Sequence, residues 1–378
     1  MQPRKRSSNI SSIELTAFAG YGHAVSPALN MTYRINKTMV QHKYNNVAVI
    51  YGSDSSEWEV SCRSGEFVSS RIDGSLYNVF EIFARFGRWK LVSYRMKDSM
   101  RVILPEESRP EIDKTDFSVV LSGKKVKFDF AYLMQHGNPG ENGLMQGYLE
   151  MLGVPKSSCS SFVSAITFDK FTCKSYLKDV DYVKCADEVF LRKGDDLGIF
   201  KKEASARLGF PMFVKPTDGG SSFGVTKVKK PEDMDAAIEL AFSEGTTVIA
   251  EKFIPGREIT CAVYQTGNGT AALPVIEIVT DHEFFDYDAK YNGFSKEICP
   301  AGLPDDLTAR VQDSAKKIYE RLGCSGVVRV DYILADDGLY FLEVNTIPGM
   351  TSASLVPKMV RTAGLDMTAF LTDIIENA

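Results

Sequence analysis

The sequence predicts an α/β fold, and three stretches carry that reading. Val47-Ala-Val-Ile-Tyr51 is an apolar run of strand length. The small-residue turn Gly52-Ser-Asp-Ser-Ser56 follows it, then a helix start at Glu57-Trp-Glu-Val-Ser61. Phe128-Asp-Phe-Ala-Tyr-Leu-Met134 repeats the pattern: a strand, a polar turn after His136, and a helix with Leu144, Met145, Tyr148, Leu149 and Leu152 on its apolar face. Further on, helices around Asp169 to Leu177 and Lys201 to Leu208 precede Phe210-Pro-Met-Phe-Val-Lys215, a strand stopped by Pro216. At 378 residues the chain is long enough for two or three such units.

Bulk properties narrow the class. A hydrophobic share of 44% with 25% charged residues is that of an ordinary soluble globular chain. A net charge of -5 weighs against nucleic acid as a partner. No apolar run approaches the ~20 residues that would span a bilayer, so no membrane association is expected. The seven cysteines are scattered, odd in number and form no C-x-x-C pair. Reduced thiols in a cytoplasm fit that pattern better than disulfides or zinc.

Residues 1–45 are basic, Ser-rich and poor in acids, and lack the apolar core of a secretory signal. A disordered tail, or a start codon placed too early with Met31 or Met39 as the true start, is the expectation. The remaining boundaries are expected at 46–158, 159–254 and 255–378. Ligands in parallel α/β sheets gather at the carboxyl ends of strands. Glu57 and His136 both follow strand ends, where turn or capping roles stay equally open.

The densest chemistry lies in Arg329-Val-Asp331-Tyr-Ile-Leu-Ala-Asp-Asp-Gly-Leu-Tyr-Phe-Leu-Glu343-Val-Asn345. It reads as a hairpin with a three-residue Asp336-Asp337-Gly338 loop. That loop sets Ala335 opposite Leu339, Asp331 opposite Glu343 and Arg329 opposite Asn345. Residues two apart on a strand share a face. One face therefore gathers a cation, two carboxylates and an amide. Paired carboxylates on a half-buried sheet repel unless a cation joins them. Oxygen-only donors point to Mg²⁺, which also takes substrate phosphates.

Two upstream segments suit those phosphates. Lys215 is followed by Thr217-Asp-Gly219-Gly220-Ser221-Ser222-Phe-Gly224, where glycines let backbone N–H groups approach an anion and the serines add donors. The P-loop pattern and G-x-G-x-x-G after a strand are both absent, which disfavours those nucleotide folds. Val248-Ile-Ala-Glu251-Lys252-Phe253-Ile254-Pro255-Gly256-Arg257-Glu258 is a strand ending in charge. Its backbone suits an adenine and its carboxylates suit ribose hydroxyls.

In their order these segments resemble the ATP-grasp fold, and more narrowly the D-alanine–D-alanine ligase family. The resemblance rests on Glu57-x-Glu-Val-Ser61, His136-Gly-x-x-Gly-Glu141, Val214-Lys-Pro-x-x-Gly-Gly-Ser-Ser-x-Gly224, Phe285-Asp-Tyr-Asp-Ala-Lys290-Tyr291, Cys299-Pro-Ala-Gly-Leu-Pro304 and Asn345-Thr-x-Pro-Gly-Met-Thr-Ser-x-Ser354-Leu355-Val-Pro357. It spans about residues 46 to 378. Trp58 departs from it, standing where the family often has a basic residue.

The resemblance implies a three-domain ATP-grasp architecture with an N-terminal Rossmann-like domain. It implies ligation of two D-alanines through a D-alanyl phosphate, for peptidoglycan precursor synthesis, with ATP and two Mg²⁺ (or Mn²⁺). Glu57, Ser221, Tyr291, Arg329 and Gly349 are the implied catalytic group. His136, Lys290, Ser354 and Leu355 are implied for D-alanine. Lys170, Lys215, Ser222, Glu251, Lys252, Ile254 and Glu258 are implied for ATP, and Asp331, Glu343 and Asn345 for metal. Asp281 to Glu297 is implied as a lid. A homodimer is implied, as is common in the family. D-alanine–D-lactate ligation, or a non-catalytic nucleotide-binding role, are the alternatives.

Overall fold

The computed structural model describes residues 42–220, 223–280 and 295–378. In the first part, β1 (Asn46–Tyr51) is followed by α1 (Trp58–Arg71), β2 (Asn78–Arg85), β3 (Arg88–Arg95) and β4 (Val102–Ile103). A small hairpin, β5 (Ser118–Leu121) and β6 (Lys124–Lys127), precedes β7 (Phe130–Leu133) and α2 (Leu144–Met151). The sheet order is β4-β3-β2-β1-β7. Both neighbours of β1 run parallel to it. Val47, Ala48, Val49 and Ile50 are wholly buried, as a central parallel strand covered on both faces requires. Because β1 and β7 are parallel neighbours, the loops carrying Glu57 and His136 leave the sheet from the same end.

The chain continues through α3 (Ser161–Phe168), α4 (Lys170–Leu177) and β8 (Lys184–Cys185). Next come β9 (Glu188–Arg192), α5 (Leu197–Leu208), β10 (Met212–Pro216), β11 (Thr226–Val228), α6 (Met234–Glu244) and β12 (Thr247–Lys252). Strands β9 to β12 form an antiparallel sheet in the order β11-β10-β12-β9. Asp196 caps α5, its carboxylate accepting from Ile199 N at 2.9 Å.

A third sheet takes β13 (Arg257–Thr266), β14 (Gly269–Ala272), β15 (Ile276–Thr280), β16 (Ser295–Ile298), β17 (Val327–Ala335) and β18 (Gly338–Asn345). Its order is β16-β15-β13-β17-β18-β8, with β14 beside β13. The helix α7 (Asp305–Leu322) covers it, and α8 (Leu355–Thr362) and α9 (Met367–Glu376) end the chain.

Among the described residues, three apolar cores result. One lies within the four-stranded sheet and its helices. A second joins β13, β17 and α7 to Cys159, Val163, Cys173 and Leu177, so α3 and α4 share the core of the third sheet. The largest joins β1, β2 and β7 to Val356, Met359, Phe370, Leu371 and Ile374 from the last two helices. Ahead of β1, His42 Nδ1 lies 3.1 Å from Glu376 Oε1, and Tyr44 packs on Phe130. Among the described residues, no helix is long and apolar enough to cross a membrane.

Candidate active site

The hairpin of β17 and β18 places Asp331 opposite Glu343 and Arg329 opposite Asn345. The expected route to that pairing is corrected. The loop holds two residues, with Ala335 opposite Gly338 and Leu334 opposite Leu339. Leu342 is then an extra residue in a bulge between the Tyr332–Phe341 and Asp331–Glu343 pairs. The shorter turn and the bulge each shift register by one residue, and the shifts cancel at the acidic pair.

Asp331 is buried and richly partnered. It accepts from Arg329 Nε at 2.9 Å and Nη2 at 2.8 Å, from Thr260 Oγ1 at 2.5 Å and from Asn345 Nδ2 at 2.9 Å. Glu343 lies 3.2 Å from Lys170 Nζ. Lys170 also donates to the Gly219 carbonyl at 3.0 Å, and its backbone N–H donates to Thr217 O at 2.8 Å. The first turn of α4 thus ties the glycine loop to the hairpin. Each hairpin carboxylate faces a cationic side chain. Among the described residues, no three His, Cys, Asp or Glu cluster to hold a metal on their own. Two carboxylates and an amide fit a hard cation whose remaining ligands are phosphate oxygens.

Across from the hairpin, the four-stranded sheet presents a buried charge cluster. Lys215 Nζ donates to Glu251 Oε1 at 2.9 Å, and Lys174 bonds both Glu251 and Glu188. Burial alone would raise the Glu251 pKa, but Lys174 and Lys215 outweigh it and hold the carboxyl at about 2. Burial also disfavours the Lys174 ammonium, yet Glu251 and Glu188 keep its pKa above the ordinary lysine value. For Lys215 burial wins and the pKa falls, despite Glu251. Lys174 stands outside every motif. Its one signal in the sequence is its place four residues after Lys170 on the same helical face.

These walls enclose a cavity of about 450 Å³. Lys170, Lys215, Glu251, Lys252, Ile254 and Glu258 line it together with Asp331 and Glu343, and Phe213, Phe253 and Phe341 supply apolar wall. A second cavity, of about 400 Å³, is lined by Glu57, His136, Asn345, Gly349, Ser354 and Leu355. Gly220, Arg329 and Glu343 line both, so the two spaces adjoin at the hairpin. Ser221, Ser222, Lys290 and Tyr291, and most of the expected lid, lie outside the described residues.

Glu57 occupies the N-cap position of α1 but makes no side-chain cap. Its carboxylate reaches the glycine loop instead: a Cβ on Gly220 would fall 2.3 Å from Glu57 Oε2. The expected basic residue beside it is Trp58, whose ring lies under the Arg85 guanidinium, 4.4 Å from centroid. His136 is buried, and its ring nitrogens face Ser64 and the Ile347 carbonyl. Glu141 joins the same wall and accepts from Gly137 N at 2.7 Å. Burial, then the Glu57 charge, push its carboxyl up to about 8. Ser354 opens α8, and its hydroxyl accepts from Thr351 N at 2.9 Å. Leu355 begins the first turn of that helix, where backbone N–H groups have no intrahelical acceptor.

A lysine-bearing sheet facing an acidic hairpin across one cavity, with a mixed α/β sheet contributing to the second, defines an ATP-grasp protein. The family described as D-ala D-ala ligase N-terminus matches residues 46–159, and that described as D-ala D-ala ligase C-terminus matches residues 177–376. The D-alanine--D-alanine ligase of Phocaeicola vulgatus is 48% identical over 332 residues, covering 88% of this chain and 98% of its own. Among solved structures, the VanG D-Ala:D-Ser ligase from Enterococcus faecalis superposes with a TM-score of 0.76 at 32% identity, covering 88% of this chain and 99% of that one. The D-alanine--D-Alanine ligase from Bacillus anthracis complexed with ATP gives a TM-score of 0.68 at 32% identity, over 88% and 97%. The chain belongs to the D-alanine–D-alanine ligase family.

Proposed function

We propose that this chain joins two D-alanines at the expense of ATP, for peptidoglycan precursor synthesis. The observation that carries the reading is the meeting of the two cavities at Arg329 and Glu343. ATP occupies the larger cavity. Lys170 and Lys215 face its phosphates, Glu251, Lys252 and Ile254 its base, Glu258 its ribose, and Ser222 joins the phosphate loop. The first D-alanine lies in the smaller cavity with its ammonium at Glu57, beside His136.

Its carboxylate attacks the γ-phosphorus, the bond to the leaving oxygen of ADP breaks, and an acyl phosphate results. Phosphoryl transfer asks mainly for positioning and neutralisation. The second amine attacks the acyl carbon, and phosphate leaves from the tetrahedral intermediate. Arg329 and the Gly349 N–H stand to receive the negative charge that develops there. Ser354 and the Leu355 N–H hold the second carboxylate, with Lys290. Ser221 and Tyr291 complete the proposed catalytic group, linking the lid to Glu57. Closure would keep water from the acyl phosphate.

Asp331, Glu343 and Asn345 would hold two Mg²⁺, or Mn²⁺, in company with phosphate oxygens. Bound there, the ions would neutralise charge on the transferring phosphoryl group. The proposed parts are an N-terminal α/β substrate domain at 46–158, a central ATP-grasp domain at 159–254 and a C-terminal ATP-grasp domain with the hairpin and lid at 255–378; 159–185 shares the core of the last. A homodimer in the cytoplasm is proposed with this reading. Free cysteines support the compartment.

A coupled assay for ADP released on addition of D-alanine tests the function. No release would leave a nucleotide-binding protein without catalysis. Dominant ester product in competition with D-lactate would instead identify a D-alanine–D-lactate ligase.

A further inference from the structure

We infer that Ser64 is a positioning residue for the ligation step, acting with His136 to fix the backbone that presents the Gly349 N–H. This rests on the proposed place of Gly349 beside the developing oxyanion.

Three hydrogen bonds close a strap around Pro348 and Gly349. His136 Nδ1 lies 3.0 Å from the Ile347 carbonyl oxygen. His136 Nε2 lies 3.1 Å from Ser64 Oγ. Met350 N–H donates to the same Ser64 Oγ at 3.2 Å. The directions of these bonds follow from chemistry. A carbonyl only accepts, so Nδ1 carries the hydrogen. Burial, the largest influence, lowers the His136 pKa, which favours the neutral ring. Nε2 then has a lone pair, and Ser64 must donate to it. The hydroxyl oxygen keeps a lone pair for Met350 N–H. Every donor finds an acceptor, and no hydroxyl rotor is left undecided.

The strap is dry. Ser64 and Met350 are wholly buried, Ile347 is 3% exposed and His136 is 5% exposed. Hydrogen bonds in such surroundings gain strength and hold geometry closely. They grip the chain at residues 347 and 350, on either side of the N–H that matters. They also reach it from α1, the helix that begins beside Glu57. One rigid element thereby spaces the first substrate's ammonium anchor from the donor facing its carbonyl. His136 acts here through the backbone it holds, with both nitrogens already engaged by protein.

The test uses the full chain and three variants: Ser64→Ala, His136→Asn and the double variant. Asparagine at 136 keeps a donor near the Nδ1 position but offers nothing to Ser64. Parent protein is first shown to release ADP in a D-alanine-dependent manner. A parent without that activity overturns the functional reading and this inference with it.

Given an active parent, Ser64→Ala should lower kcat by about tenfold to a hundredfold, since small misplacements at a reacting centre have effects of that order. ATP affinity should change less than about twofold. Affinity for a phosphinate dipeptide that mimics the tetrahedral intermediate should fall in parallel with turnover. The double variant should lose no more than the worse single, because the two side chains act as one unit. Ser64→Cys, a weaker donor and acceptor, should recover part of the loss. Turnover within about twofold of the parent, a loss confined to ATP affinity, or additive losses would each overturn the assignment. Should Ser64→Ala fail to fold, His136→Asn decides by the same split between turnover and nucleotide affinity.

Discussion

Lys174 and Lys215 share one carboxylate: Glu251 takes Lys215 Nζ on Oε1 at 2.9 Å and Lys174 Nζ on Oε2. The group is buried, and Glu188 completes it from the neighbouring strand. Such clusters gain little over an apolar packing, but breaking one by removing a single member is costly.

Lys174→Met should therefore destabilise the protein by about 3–5 kcal/mol, the usual cost of stranding a buried partner. Two carboxylates would remain with Lys215 as their shared cation. Urea and thermal unfolding measure the loss. An unchanged midpoint would show that Glu188 and Glu251 find other compensation.

Glu343→Gln should leave a folded protein that turns over at least a hundredfold more slowly, about 2.7 kcal/mol of barrier. The residue lines both cavities and pairs across the hairpin with Asp331. Steady-state ADP release at saturating Mg²⁺ checks it. Activity within a fewfold of the parent would sink the proposed metal role.

Lys170→Met removes the tie to both the Gly219 carbonyl and Glu343. The expected effect is a weaker hold on nucleotide, with KM for ATP raised about tenfold, or about 1.4 kcal/mol. Direct nucleotide titration separates this from a loss in chemistry. An unaltered affinity would mean that the glycine loop keeps its place without the lysine.

Glu141 makes stability depend on pH. Its folded pKa of about 8 stands above the ordinary value of 4.5. Between those values the unfolded chain has released a proton that the folded chain keeps. Stability from this group is thus full below pH 4.5 and is lost as pH rises towards 8. Glu141→Gln keeps an acceptor for the Gly137 N–H and cannot ionise. It should match the parent near pH 4 and outlast it above pH 7, the gap widening by about 1.4 kcal/mol per unit in between. A constant difference at all pH values would place the shift elsewhere.

Elements whose signal is local were legible in the sequence. The apolar run at Val47 became a central strand, and the proline after Lys215 marked where β10 ends. The acidic pair was legible too, although by compensation. The turn is a residue shorter than its Asp-Asp-Gly composition suggests, and Leu342 restores the register. A bulge has no composition of its own, so alternation alone cannot place it. Lys174 and Ser64 were not legible. Each matters through a partner far along the chain, Glu251 for one and Met350 for the other. Burial of a lysine, or the sharing of one hydroxyl by a ring and a backbone amide, arises only once separate sheets have packed.

The largest core has a consequence for how the protein is made. Val47 to Ile50 lie near the start of the chain, yet the apolar side chains that seal their core include Phe370, Leu371, Ile374 and Ile375. A ribosome delivers the sheet long before it delivers the seal. While most of the remaining chain is translated, the nascent first sheet presents uncovered hydrophobic surface, the condition that invites chaperones and aggregation. The latch comes late, when α9 docks and Glu376 meets Tyr77 and His42. Truncations or bulky fusions at the carboxyl terminus should therefore be felt first at the opposite end of the polypeptide.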